Sequence, residues 1–129
     1  MTFEEFAARE WGRAQRSGRW FSIARIAPVG WRALDEEIDA LACVVEAHLR
    51  RTDFVQRKRD REVSVVLVET LGASAGAALE RVRENAVKRL PELQLRIGCA
   101  PARPDQQWQE AWRWAGRLLV ADAAVPAAA

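Results

Sequence analysis

The sequence predicts an α+β fold: a ferredoxin-like βαββαβ core, its antiparallel sheet flanked by helices, with an extra helix at the N-terminus. Three observations carry this expectation. Four segments repeat apolar residues at helical spacing, four shorter ones are rich in Val, Ile, Leu, Phe or Trp, and Gly or Pro punctuates most of the boundaries between them. The resulting order is helix, strand, helix, strand, strand, helix, strand, helix, and its central six elements form the ferredoxin-like arrangement.

Residues 2 to 17 read as an amphipathic helix. Thr2 and Glu5 form a capping-box pair, Phe3, Phe6, Ala7, Glu10 and Ala14 share one stripe, and Gly18 ends it. "RWFSIARIA", residues 19 to 27, reads as a strand stopped by Pro28 and Gly30. Leu34, Ile38, Leu41, Val45 and Leu49 place a second helix over 34 to 50, with Glu36, Glu37 and Asp39 on its wet face. "TDFVQRK" and "VSVVLVE" read as a hairpin whose second strand is central and buried on both faces. An Ala-rich third helix spans 72 to 89 with Leu79, Val82 and Ala86 inward. Pro91 breaks it, and "LQLRIGCA" is the fourth strand, closed by Pro101 and Pro104. Asp105 is the expected cap of a last helix that carries Trp108, Trp112, Ala115 and Leu119 on its core side. Trp114 and Trp31 fall outside the core pattern and are candidate surface contacts. Residues 1 to 122 are read as one domain and 123 to 129 as a flexible tail.

The chain has 129 residues, 29% of them charged, and a net charge of +2, a balance suited to a soluble domain that buries one core without metal or disulfide staples. Cys43 and Cys99 sit in apolar stretches without CxxC spacing and are read as buried free thiols of a cytoplasmic protein. The lone His48 cannot build a histidine metal site. The acidic opening "MTFEEFAAREW" is no signal peptide, and no apolar run approaches the ~18 residues of a membrane span.

The informative stretch is "HLRRTDFVQRKRDREVSVVLVET", residues 48 to 70. Its order and spacing, with "RAQRSGRWFSIARIA" before it and "LERVRE" and "LRIGCA" after it, resemble the GGDEF (diguanylate cyclase) domain family over almost the whole chain. The resemblance implies a nucleotide-cyclase-type fold. It places the Gly-Gly-Asp/Glu-Glu-Phe signature on Arg59-Asp60-Arg61-Glu62-Val63. The family's two Mg²⁺-binding carboxylate positions fall on Ala27 and Arg61, and a methyl and a cation cannot replace oxygen ligands. Glu62 keeps the fourth signature position and Asp35 the guanine-contacting aspartate, while the loop before the second helix is shortened. The resemblance therefore implies a degenerate, non-catalytic domain with no cofactor.

It also implies a retained inhibitory site for cyclic di-GMP. Arg50 and Asp53 form the family's Arg-x-x-Asp, nine residues ahead of the signature. A guanidinium can fork onto guanine O6 and N7 or onto phosphate, and a carboxylate can accept guanine N–H donors. Arg81 matches the family's arginine on the next helix, and Arg13 matches one that reaches a neighbouring protomer's ligand. These side chains lie at element ends, so they are expected to matter for ligand and little for stability. The implied partners are cyclic di-GMP, a protein of unknown identity, and a second copy linked through ligand, in bacterial second-messenger control of biofilm, polysaccharide or motility. The rival readings are a protein-interaction scaffold that binds no ligand, a residual enzyme, and an Arg50–Asp53 ion pair at a helix end. Nucleic acid is not an expected partner, because Asp60 and Glu62 interrupt the basic run, and 57 to 62 is read as a solvated hairpin tip.

Overall fold

A computed structural model describes residues 1–29, 35–58 and 61–122. The elements follow the expected order: α1 (Phe3–Ser17), β1 (Phe21–Pro28), α2 (Asp35–Ala47), β2 (Phe54–Lys58), β3 (Glu62–Leu67), α3 (Gly72–Arg89), β4 (Leu95–Ala102) and α4 (Trp108–Ala121). The strands form one antiparallel sheet in the order β2-β3-β1-β4. Ile26 stands opposite Val63 on one side and Ile97 on the other, and Arg57 opposite Val63.

Alternation along the strands gives the sheet two buried faces. Ala24, Ile26, Val63, Val65 and Leu67 pack against Ile38, Leu41 and Val45 of α2 and Leu79, Val82 and Ala86 of α3. Phe21, Ile23, Val66 and Ala100 pack against Phe3, Phe6 and Ala14 of α1 and Trp108, Ala111 and Ala115 of α4. β3 is buried at every residue, as expected of a central strand between two helical layers.

The helix ends repeat this logic locally. Thr2 Oγ1 accepts the Glu5 N–H at 3.1 Å, and Gly18 adopts φ 71 while its N–H bonds the Ala14 carbonyl. That left-handed C-cap suits glycine, which has no Cβ to clash. α1 is stitched to the sheet edge: the Phe3 N–H donates to Gln56 Oε1 at 2.6 Å and Phe6 stacks on Phe54. α4 lies so close to β4 that a Cβ on Gly98 would collide with the Ala115 carbonyl.

Several expectations are corrected. Cys43 is exposed, not core. Its apolar neighbours in sequence are not its neighbours on α2, where Leu41, Val44 and Val45 face inward and residue 43 faces out. β4 runs through Pro101, which an edge strand tolerates because its outward N–H needs no ladder partner, and β1 runs to Pro28, which lies beyond the last residue paired with β3, Ile26. α2 ends at Ala47, with Leu49 packed beyond it, and β2 starts at Phe54. Gln107, not Asp105, precedes α4, with no side-chain cap bond; Asp105 pairs with Arg103 at 3.3 Å. Trp108 is buried, Trp112 partly so, and Trp114 exposed. Trp31, Leu34 and the tail from 123 lie outside the described residues.

The outer edge of β4 is occupied by side chains. Arg83 Nη1 donates to the Leu95 carbonyl at 2.8 Å, and Asp122 Oδ2 accepts the Ile97 N–H at 2.8 Å while pairing with Arg83 at 3.0 Å.

Candidate functional site

A cleft of about 600 Å³ opens where the chain leaves α2, where β3 ends and where α3 begins. Arg50, Asp53 and Arg81 all line it, together with His48, Glu69 and Thr70. Three of the four predicted residues are therefore brought together. Arg13 stands at the rim: its Nη2 donates to Glu69 Oε1 at 3.4 Å.

The residues of the Arg-x-x-Asp pattern differ in character. The Asp53 side chain is only 3% exposed. Its Oδ1 accepts the Val68 N–H at 2.9 Å, and its Oδ2 accepts the Arg50 N–H at 3.0 Å. Asp53 thus fastens the α2–β2 connection to the end of β3, a shielded anchoring position and not the freely placed element end expected of it. Arg50 is 58% exposed. Among the described residues its polar side-chain contacts come from Nη2, to the Val68 carbonyl, to Thr70 Oγ1 and, at 3.6 Å, to Asp53 Oδ1. The two residues hold Val68 by its N–H and its carbonyl, outside any helix. Arg81 projects from the exposed side of α3, since Leu79 and Val82 take the inward side, and among the described residues its side chain has no ion-pair or hydrogen-bond partner.

Glu69 is the cleft residue that sequence reasoning missed. It follows β3 at φ 51 and pairs with both Arg13 and Arg19. One anionic group thereby holds two arginines beside a basic cleft. Its only signal in sequence is an acid directly after an apolar strand.

The hairpin end of the sheet is organised differently: of the stretch expected as a solvated tip, the described residues Arg57, Lys58 and Glu62 are held in ion pairs. Arg57 forks onto Asp39 at 2.6 Å and Asp35 at 2.8 Å, which raises its pKa through those hydrogen bonds. Lys58 pairs with Glu4 and lowers the pKa of that carboxyl. Glu62 is buried and is gripped by Arg25 of β1, Nε to Oε1 and Nη2 to Oε2, the latter at 3.0 Å. Arg25 also donates to the Trp112 carbonyl at 3.2 Å and lies 3.7 Å from the centre of the Trp112 ring. Arg61 adopts φ 58, and residues 59 and 60 lie outside the described residues. Among the described residues, no three His, Cys, Asp or Glu side chains form a group that could hold a metal ion. The donor set does not fit Mg²⁺: the two positions at which the resemblance implies its carboxylate ligands are Ala27 and Arg61, and the neighbouring Glu62 already has both oxygens on a guanidinium. No helix among the described residues is long and apolar enough to cross a membrane.

No family model and no curated protein matches the chain. Solved structures match it by shape. The diguanylate cyclase SiaD from Pseudomonas aeruginosa, in complex with its activator SiaC, is 22% identical with a TM-score of 0.81, over 92% of this chain and 52% of that one. The chain thus spans about half the length of that protein. The coiled coil and GGDEF domain of DgcB from Caulobacter crescentus, in complex with c-di-GMP, is 15% identical with a TM-score of 0.82, over 92% and 72%. The FimX GGDEF domain from Pseudomonas aeruginosa is 20% identical with a TM-score of 0.80, over 94% and 85%. The four-stranded antiparallel sheet with its four helices is therefore the GGDEF nucleotide-cyclase fold.

Proposed function

We propose that this chain is a non-catalytic receptor for cyclic di-GMP, binding the dinucleotide in the cleft of Arg50, Asp53 and Arg81. The observation that carries the reading is their convergence on one open cleft, with Arg50 mostly exposed and Arg81 without a partner among the described residues. Exposed guanidinium groups match guanine edges and phosphates, and two such groups suit a dianionic ligand. Asp53 has both oxygens on backbone N–H groups, so its first task is to position Arg50, with its remaining lone pairs left for guanine donors. Ala27, Arg61 and the sequestered Glu62 support the absence of cyclase chemistry. The relatives of this fold include a c-di-GMP complex, which favours this ligand over other nucleotides.

Calorimetric titration with cyclic di-GMP tests the reading, beside incubation with GTP and Mg²⁺ or Mn²⁺. Saturable heat at micromolar ligand without formation of cyclic di-GMP is the expected pair of results. If ligand gives no heat at tens of micromolar, the scaffold reading takes its place; steady turnover abolished at Glu62 would make the chain an enzyme. Arg13, held at the rim by Glu69, is proposed to reach ligand on a second copy. Light scattering should then report a dimer at saturating ligand for the native chain and a ligand-bound monomer for Arg13→Ala.

A further inference from the structure

The Arg25–Glu62 pair makes a specific statement about the signature end of the sheet. Both side chains are shielded, Arg25 16% and Glu62 10% exposed. A carboxylate at that depth needs a compensating cation, because an uncompensated buried charge is strongly unfavourable. Arg25 supplies it in a two-point fork, the geometry in which guanidinium matches carboxylate best.

The guanidinium is itself fixed on its other sides. The Trp112 ring covers it, the Trp112 carbonyl accepts from Nη1, and Gly116 leaves it room, since a Cβ there would collide with Nη1. Arg25 and Glu62 lie on neighbouring strands, β1 and β3, on the sheet face that packs against α4.

We propose that Arg25 is a resident cation standing where a divalent metal would have to engage Glu62, so that the centre stays closed to metal even when the two missing carboxylates are put back. A dication approaching Glu62 meets a fixed positive charge within a few ångströms, and both carboxylate oxygens already accept from it. Loss of catalysis is then held by three positions, Arg25, Ala27 and Arg61, of which Arg25 acts by occupation and the others by omission. This rests on the non-catalytic part of the proposed function and not on dinucleotide binding, so a titration with cyclic di-GMP can fail without touching it, and the reverse.

The test uses Mn²⁺ alone, counted free in solution by electron paramagnetic resonance, with melting followed in parallel. Ala27→Asp/Arg61→Glu should bind Mn²⁺ no better than the native chain. Adding Arg25→Gln to that pair should tighten Mn²⁺ binding at least tenfold and make melting rise with metal. Tight Mn²⁺ binding by the double variant, or equal binding by double and triple, overturns the proposal. If the triple variant does not fold, a cycle in the native chain decides: Arg25→Gln should lower the melting temperature, and Glu62→Gln added to it should restore much of the loss. A cycle with no coupling between the two positions refutes Arg25 as the counter-charge of Glu62.

Discussion

Asp53 Oδ1 accepts the N–H of Val68 at 2.9 Å, and that one bond ties the loop after α2 to the end of the central strand. Replacing Asp53 with Ala removes it, along with the bond from the Arg50 N–H, and leaves a shielded donor at Val68. A hydrogen bond to a charged group contributes about 1.5–3 kcal/mol, and because the exposed Arg50 N–H can turn to water and counts for less, the substitution should cost about 2–4 kcal/mol. Chemical denaturation without ligand measures this. A loss under 0.5 kcal/mol would show that Asp53 is not the fastener its geometry describes.

Arg50→Ala should separate binding from stability. The side chain is mostly exposed and works through a single nitrogen, so melting should change little, while cyclic di-GMP affinity should fall roughly ten- to a hundredfold. Arg81→Ala should weaken binding by a smaller factor and leave melting unchanged. Glu69→Gln should act in the opposite direction, raising affinity by removing negative charge from the cleft wall. Calorimetry on folded variants reads all three.

Gly98→Ala should damage the fold despite adding a single methyl. The new Cβ would press on the Ala115 carbonyl, and helix backbone cannot rotate aside as a side chain can. Overpacking of this kind costs about 1–3 kcal/mol and occasionally more. Gly76→Ala is the control: nothing lies near its Cβ position, and gain of helix propensity should leave the protein as stable or slightly more so.

The two thiols should react at different rates. Burial pushes the Cys99 pKa up to about 11, against a weaker opposing effect from the Ser22 hydroxyl. The thiolate is the reactive form, so at pH 7 to 9 Cys99 should resist alkylation, with a rate that climbs as pH approaches that value. Cys43 is exposed and should be labelled first. Mass spectrometry after a short maleimide pulse distinguishes one label from two.

Segments whose apolar period is local were readable in the sequence. Leu79, Val82 and Ala86 identify α3 and its inward face, and Thr2 with Glu5 identifies the start of α1, because these signals lie within one or two turns. The Arg50, Asp53 and Arg81 cluster was legible only through spacing resembling a known family. Its internal division of labour was not, since Asp53 is buried by contacts with Val68, which only the sheet brings near. Arg25 was missed for the same reason. In "SIARIAP" it looks like an ordinary charge in an edge-like strand, and its partner stands 37 positions away. Cys43 shows the opposite limit: residues adjacent in sequence are not adjacent on the face of a helix, so its apolar neighbours do not bury it.

The side chains along β4 have a bearing on solubility. An exposed strand edge is a template on which further chains can stack. Here the outward carbonyl of Leu95 is taken by Arg83, the outward N–H of Ile97 by Asp122, and Pro101 has no N–H to offer. Strand addition on that side would have to displace an ion pair and would still meet a missing donor. Cutting Asp122 back to Ala should therefore free both Arg83 and the Ile97 amide, and the first symptom would be turbidity at high concentration, before any loss of the fold.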